Sequence, residues 1–134
     1  MTAMLRIFFA AALLAFAAAA PARGEGALAV AIPDEGMHKG FAYGWKLHAS
    51  KPEDARKEAL QLCHETAAKN KVPAGKCKIV EVFKKSCVAV ALDKKGAWAG
   101  WGVGGDEKTA KARAIRQCKV GGSACAVAES DCDK

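Results

Sequence analysis

The sequence predicts an α+β fold: two β-β-α-β repeats forming one antiparallel sheet with two helices, stapled by disulfides. Three observations carry that prediction. One set of blocks occurs twice along the chain, each copy joins strand-like alternation to a helix-like period, and six cysteines fall at related places in the two copies. Strands and helices that segregate in this way pack as an antiparallel sheet with helices on one face.

The chain opens on a segment of its own. Arg6 is the sole charge in residues 1–22, an apolar stretch runs from Ile7 to Phe16, an alanine run follows, and Ala20-Pro21-Ala22 has the small-x-small form of a cleavage site. A charged start, an apolar centre and such a site predict a secretory signal peptide cleaved after Ala22. The apolar run is shorter than the roughly 20 strongly apolar residues a membrane span needs. Residues 23–134 then form a single duplicated domain, of a size that one core can serve. Its predicted location is the periplasm or the outside of the cell, with no membrane span after cleavage.

The duplication is read from matching blocks. Leu28-Ala29-Val30-Ala31-Ile32 matches Val88-Ala89-Val90-Ala91-Leu92 at an offset of 60, and Gly44-Trp45 matches Gly100-Trp101 at 56. Ala55, Ala59, Leu60 and Cys63 match Ala110, Ala114, Ile115 and Cys118 at 55. Cys77, Ile79 and Glu81 match Cys125, Val127 and Glu129 at 48, and Cys87 matches Cys132 at 45. The offset changes between blocks and never inside one, as it must if length differences sit in loops. Two copies are too few for a solenoid, so a pseudo-twofold single domain is expected.

Each block has a local reading. In 28–32, Leu28, Val30 and Ile32 share one face of a strand and the alanines share the other. Gly40 to Trp45 alternates again and places Phe41, Tyr43 and Trp45 together. Ser50-Lys51-Pro52-Glu53 has capping-box form, with a proline where it costs no helical bond. Ala55, Ala59, Leu62, Cys63 and Thr66 recur at helical spacing, and Pro73-Ala74-Gly75 stops that helix. Cys77 to Phe83 returns as a strand. In the second unit Asp106 caps a helix starting near Glu107, Gly121-Gly122 ends it, and Cys125 to Ala128 is a short strand. Gly102-Val103-Gly104-Gly105 reads as a tight strand-to-helix turn.

Six cysteines in a small exported chain predict three disulfides. Of the fifteen possible pairings, the repeat favours Cys63–Cys77, Cys118–Cys125 and Cys87–Cys132. The first two tie each helix end to the following strand, and the third joins equivalent ends of the two units. No tightly spaced ligand pair suggests a metal site, and no cofactor motif is present.

These residues, namely the paired Ala-Val-Ala strands, the Gly-Trp block, the Ala-x3-Ala-Leu/Ile-x2-Cys helix and the Cys-x-Ile/Val strand, resemble the exported bacterial family catalogued as domain of unknown function 4189. The resemblance spans about residues 26–132. It implies export and a compact cysteine-bridged domain, and it implies no reaction. Lys46 departs from the pattern, standing after Trp45 where the second unit has Gly102.

Composition narrows the function. The chain has 21 Lys and Arg against 14 Asp and Glu, and loss of the leader removes only Arg6. A basic exported domain attracts anionic envelope polymers or an acidic protein partner. Lys84, Lys85, Lys94 and Lys95 flank the strand Val88–Leu92, and Lys108, Lys111, Arg113 and Arg116 line the second helix. Trp98, whose counterpart is Ala42, is the expected exposed aromatic, with Tyr43 beside it as a candidate contact, while Trp45 and Trp101 read as core. No aromatic-basic motif suggests nucleic acid. His38, His48 and His64 sit in no nucleophile motif, and Cys63, before His64, is consumed by its bridge. Glu81 and Glu129 are the candidate carboxylates for an alternative, a small envelope hydrolase. The expected function is a non-catalytic binding module of the cell envelope, a monomer or weak dimer acting on a protein or an anionic envelope component.

Overall fold

The computed structural model describes residues 24–133. The leader expected in residues 1–22 lies outside the described residues. Six strands and two helices follow in the order β1 (Glu25–Ala31), β2 (Ala42–Ala49), α1 (Pro52–Lys69), β3 (Cys77–Lys84), β4 (Cys87–Asp93), β5 (Ala99–Gly104), α2 (Glu107–Cys118) and β6 (Cys125–Cys132). This is β-β-α-β, twice, and the fold is α+β.

The single antiparallel sheet is corrected by the topology. Each unit makes its own three-stranded antiparallel sheet, in the orders β2-β1-β3 and β5-β4-β6. The reason lies in the two faces of the central strands. Ala27, Ala29 and Ala31 bury against Ala55, Ala59, Cys63 and Ala67 of α1. Ala89 and Ala91 bury likewise against Ala110, Ala114 and Cys118 of α2. The large faces then need a different cover. Leu28, Val30, Leu47 and Phe83 of the first unit meet Val88 of the second, ringed by Phe41, Tyr43, Trp45, Trp101 and Val103. The layers are therefore helix, sheet, sheet, helix. Leu28, Val30, Val88 and Val90 are wholly buried. At about 1.5–3 kcal/mol each, their burial is comparable to the whole stability of a small domain. One flat sheet with both helices on one side would leave these four side chains in water.

The repeat register also shifts. Ala29 pairs with Gly44 and Ile79, while Ala91 pairs with Gly100 and Val127. Ala29 is thus equivalent to Ala91, an offset of 62 instead of 60. A strand that alternates with period two matches itself when slid by two residues, so that block could not fix its own register.

All three expected disulfides are present, Cys63–Cys77, Cys87–Cys132 and Cys118–Cys125, with no free cysteine. The Cys87–Cys132 bridge links facing residues of β4 and β6, so it lies within the second unit and does not join the two. At the corresponding place in the first unit Glu25 faces Lys84, and the two form an ion pair at 3.5 Å.

The helix starts differ from one another. Asp106 caps α2, its side chain accepting from the Thr109 N–H at 2.7 Å. The box expected at Ser50 does not form. Pro52 takes the first helical position, so Lys51 is the cap and makes no side-chain cap bond. The glycines of β5 act inside the strand as well as after it. A Cβ at Gly100 or Gly102 would strike the α2 backbone, and one at Gly44 would strike α1 at Leu62 and Cys63. Helices seated on alanine and glycine approach their sheets this closely because nothing larger intervenes.

Candidate functional site

The four lysines at the ends of β4 do not form one patch. Lys84 and Lys85 precede the strand and Lys94 and Lys95 follow it, about 20 Å away along a seven-residue strand. Lys84 is engaged with Glu25, and Lys85 turns the chain between sheets with a positive φ of 48°. Lys94 and Lys95 occupy an exposed hairpin tip.

That tip is held by a residue the sequence reading passed over. Asp93 is buried, and its carboxylate accepts from the N–H groups of Ala124 at 3.0 Å, Ala97 at 3.2 Å and Lys95 at 3.4 Å. Burial pushes the Asp93 carboxyl up. The donors at Ala124, Lys95 and Ala97, with the Lys95 charge, outweigh that and hold it below its ordinary value. The Lys94 N–H donates to the Ala124 carbonyl at 2.9 Å. The Lys-Lys tip is thereby fixed to the loop that follows α2. An aspartate closing an apolar strand, directly before Lys-Lys-Gly, is the signal that could have found it.

Trp98 belongs to the same end. It lies just before β5 and is half-buried, not an exposed strand aromatic. Its ring covers Gly121, where a Cβ would collide with it. Beside it, Lys119 is exposed and Val120 is 78% exposed. Helix α2 carries Lys108, Lys111, Arg113 and Arg116 against one acid, Glu107. Lys111 pairs with Glu107 and Arg113 bonds the Val103 carbonyl. Lys94, Lys108, Arg116 and Lys119 make no ion pair among the described residues. The equivalent α1 carries three basic side chains against four acidic ones.

A second feature lies between the units. Tyr43, Gly44 and Trp45 of β2, Leu62, Thr66 and Asn70 at α1, and Leu92 and Glu129 of the second unit line a groove of about 390 Å³. The Tyr43 hydroxyl donates to Glu129 Oε2 at 3.0 Å. The Tyr43 and Trp45 rings stack with centroids 5.6 Å apart. Burial, the Glu129 hydrogen bond and its negative charge push the Tyr43 phenol up to about 12. Trp45 and Trp101, read as core, are half-buried at the rim of the inter-sheet core.

Glu81 and Glu129 sit at equivalent places on β3 and β6, in different sheets. Among the described residues Glu129 is the one carboxylate in the groove, and Glu81 is not part of its lining. Hydrolysis of a glycoside by paired carboxylates calls for both on one cleft. Among the described residues no three His, Cys, Asp or Glu side chains are grouped to hold a metal ion. Among them, too, no helix is long and apolar enough to cross a membrane. The two surfaces offer charge, aromatic faces and hydrogen-bond acceptors.

The model of the family described as domain of unknown function (DUF4189) matches residues 26–132. Comparison with curated proteins and with solved structures finds no match.

Proposed function

The chain belongs to the family described as domain of unknown function (DUF4189), and from that premise we propose that it is a small exported binding module of the cell envelope. It acts without catalysis. It takes an anionic envelope component, or an acidic face of a protein, at the basic end of its second unit, formed by Lys94, Lys95, Arg116 and Lys119.

The observation that carries this reading is the charge difference between two equivalent helices. Duplication gives both outer helices the same backbone role, yet α2 carries four bases to one acid and α1 three bases to four acids. Packing does not ask for that difference, because both helices bury alanines and a cysteine. A one-signed field on one face does favour a partner of opposite sign. Three disulfides and no free cysteine fit an oxidising compartment. They also keep so small a domain rigid, which lowers the entropic cost of binding. The Asp93 scaffold pre-organises the lysine tip in the same way.

The test is capture of envelope material on the immobilised oxidised protein at low and high salt. An anionic polymer or acidic protein that binds at low salt and elutes at high salt is the expected result. The Lys94→Glu, Lys95→Glu variant should lose it. Capture with unchanged salt dependence in that variant removes the basic end from the function.

A further inference from the structure

We propose that the outer edge of β2 is a docking site for an extended, basic peptide segment, which adds as a further strand to the sheet β2-β1-β3. This site is distinct from the basic end of the second unit and takes a partner of opposite charge.

Both sheets have an edge beside a helix, β2 next to α1 and β5 next to α2. An open strand edge presents unpaired N–H and C=O groups, and folded proteins usually cover it. On β5 every second residue is covered by a side chain. The Ala99 N–H points to Met37 Sδ at 3.3 Å, the Trp101 N–H donates to Gln117 Oε1 at 2.8 Å, and the Val103 carbonyl accepts from Arg113.

The register makes β2 directly comparable. Trp45 faces Leu28 as Trp101 faces Val90, and Gly44 faces Ala29 as Gly100 faces Ala91. The Trp45 N–H is therefore the counterpart of the capped Trp101 N–H. Backbone groups alternate sides along a strand, which puts Phe41, Tyr43 and Trp45 on the outer edge together. The Phe41 carbonyl is covered by Asn70 Nδ2 at 3.1 Å. The other caps have been replaced. Leu62 stands where the second unit has Gln117, and a leucine accepts nothing. Glu58 stands where the second unit has Arg113, and it pairs with Lys46 at 2.9 Å. Among the described residues no side chain caps the edge of Tyr43 or Trp45.

The groove lies along this uncapped stretch, with α1 as its wall and Leu92 and Glu129 beyond. A strand laid between an edge strand and a helix gains main-chain hydrogen bonds for affinity and side-chain pockets for specificity. Charge chooses the occupant. Among the described residues Glu129 is the single charged one in the lining. Its Oε2 is engaged by Tyr43, while Oε1 accepts no hydrogen bond among the described residues. The adjoining helix carries more acid than base. A lysine or arginine on the incoming strand meets Glu129 beside the stacked rings of Tyr43 and Trp45, where a cation is favoured twice over.

The probe is a capped heptapeptide alternating valine and lysine, titrated into the isotope-labelled oxidised protein while amide resonances are followed. Shifts should gather at residues 42–46, 62–70 and Glu129, and should be absent at Lys94 and Lys95. Methylating the peptide's backbone nitrogens, or putting glutamate for its lysines, should weaken binding about tenfold or more. Leu62→Gln, which copies the Gln117 cap into the first unit, should weaken it to a similar degree. Leu62 is 39% exposed, so that variant should keep its amide spectrum. Glu129→Gln should erase the preference for lysine over glutamate. Shifts confined to the basic end, equal binding of the methylated or glutamate peptide, or an unaffected Leu62→Gln variant would each overturn the assignment. So would shifts at β2 that grow with protein concentration in the absence of peptide, which would make a second copy the occupant. The Lys94→Glu, Lys95→Glu variant should bind the peptide unchanged, which separates this site from the anionic one.

Discussion

Tyr43 is the one tyrosine in the chain, so its ionisation can be followed by phenolate absorbance without assignment. Burial is the largest cause of its rise to about 12, and the Glu129 hydrogen bond and charge add to it. The perturbation is Glu129→Gln. It removes the charge and leaves the burial, so the midpoint should fall part of the way back toward 10 and stop above it. Stability must follow. The folded phenol holds its proton more tightly than the unfolded one, so this contribution is complete below pH 10 and is lost as pH climbs through about 12. A rise from 10 to about 12 is worth at most about 3 kcal/mol. Tyr43 is only half-buried, and solvent screening reduces that to about 1 kcal/mol. Rapid-mixing titration of native protein, with urea unfolding at pH 9 and pH 11, measures both quantities. A wild-type midpoint at the ordinary 10, or one that Glu129→Gln does not move, refutes the Tyr43–Glu129 contact and the groove built on it.

Other outcomes follow from the packing. Gly44→Ala and Gly100→Ala each drive a Cβ into helix backbone and should cost about 1–3 kcal/mol in urea unfolding, whereas Gly75→Ala, with nothing near its Cβ, should cost little. Loss of the disulfides one at a time, by paired Cys→Ser changes, should destabilise in the order of their separations of 45, 14 and 7 residues. The loop-entropy expectation is about 4, 3 and 2 kcal/mol. Asp93 ionises more readily folded than unfolded, so its contribution is present above its ordinary value of 3.8 and is lost as pH falls through the lower folded value. Acid unfolding followed by circular dichroism should therefore be less steep in Asp93→Asn, and an unchanged slope would remove Asp93 as the clamp of the lysine tip.

The elements were legible where the sequence has one reading. Asp106 ahead of a helical period gives the start of α2, and the repeat gives the Cys63–Cys77 and Cys118–Cys125 pairs. Cys87 and Cys132, by contrast, pair inside one unit and are not the equivalent ends that the repeat suggested. What was not legible needed information from across the fold. The Leu-Ala-Val-Ala alternation describes a strand buried on both faces, yet it says nothing about whether a helix or a second sheet covers the large side. It is also self-similar under a two-residue slide, so the repeat offset came out at 60 where the pairing gives 62. The capping box failed for a local reason: Pro52 fixes the first helical turn one residue later than Ser50 requires. Trp98, the expected exposed aromatic, precedes β5 and lays its ring over Gly121, a contact across the fold.

The candidate sites lie where the two copies differ, and this is why the sequence hid them. A repeat is recognised by what it keeps, and the kept residues here are alanines, glycines and cysteines that seat helices on sheets. Those residues had to survive in both copies for either unit to pack. Gln117 against Leu62, and Arg113 against Glu58, occupy aligned positions in plain view. Their difference has no meaning until Trp101 and Val103 are seen to need the caps. The charge of α2 against α1 has the same character. The two units differ in cap and in charge: side chains cap Trp101 and Val103 on β5 and α2 is basic, whereas among the described residues none caps Tyr43 or Trp45 on β2 and α1 carries more acid than base. Exchanging the two pairs, Leu62→Gln with Glu58→Arg in the first unit and the reverse in the second, should move the strand-accepting edge from β2 to β5 with little change in urea midpoint. A transfer of peptide-induced shifts to β5 is the expected result. Binding that stays at β2 after the exchange would mean that the groove at Glu129, and not the open edge, governs recognition.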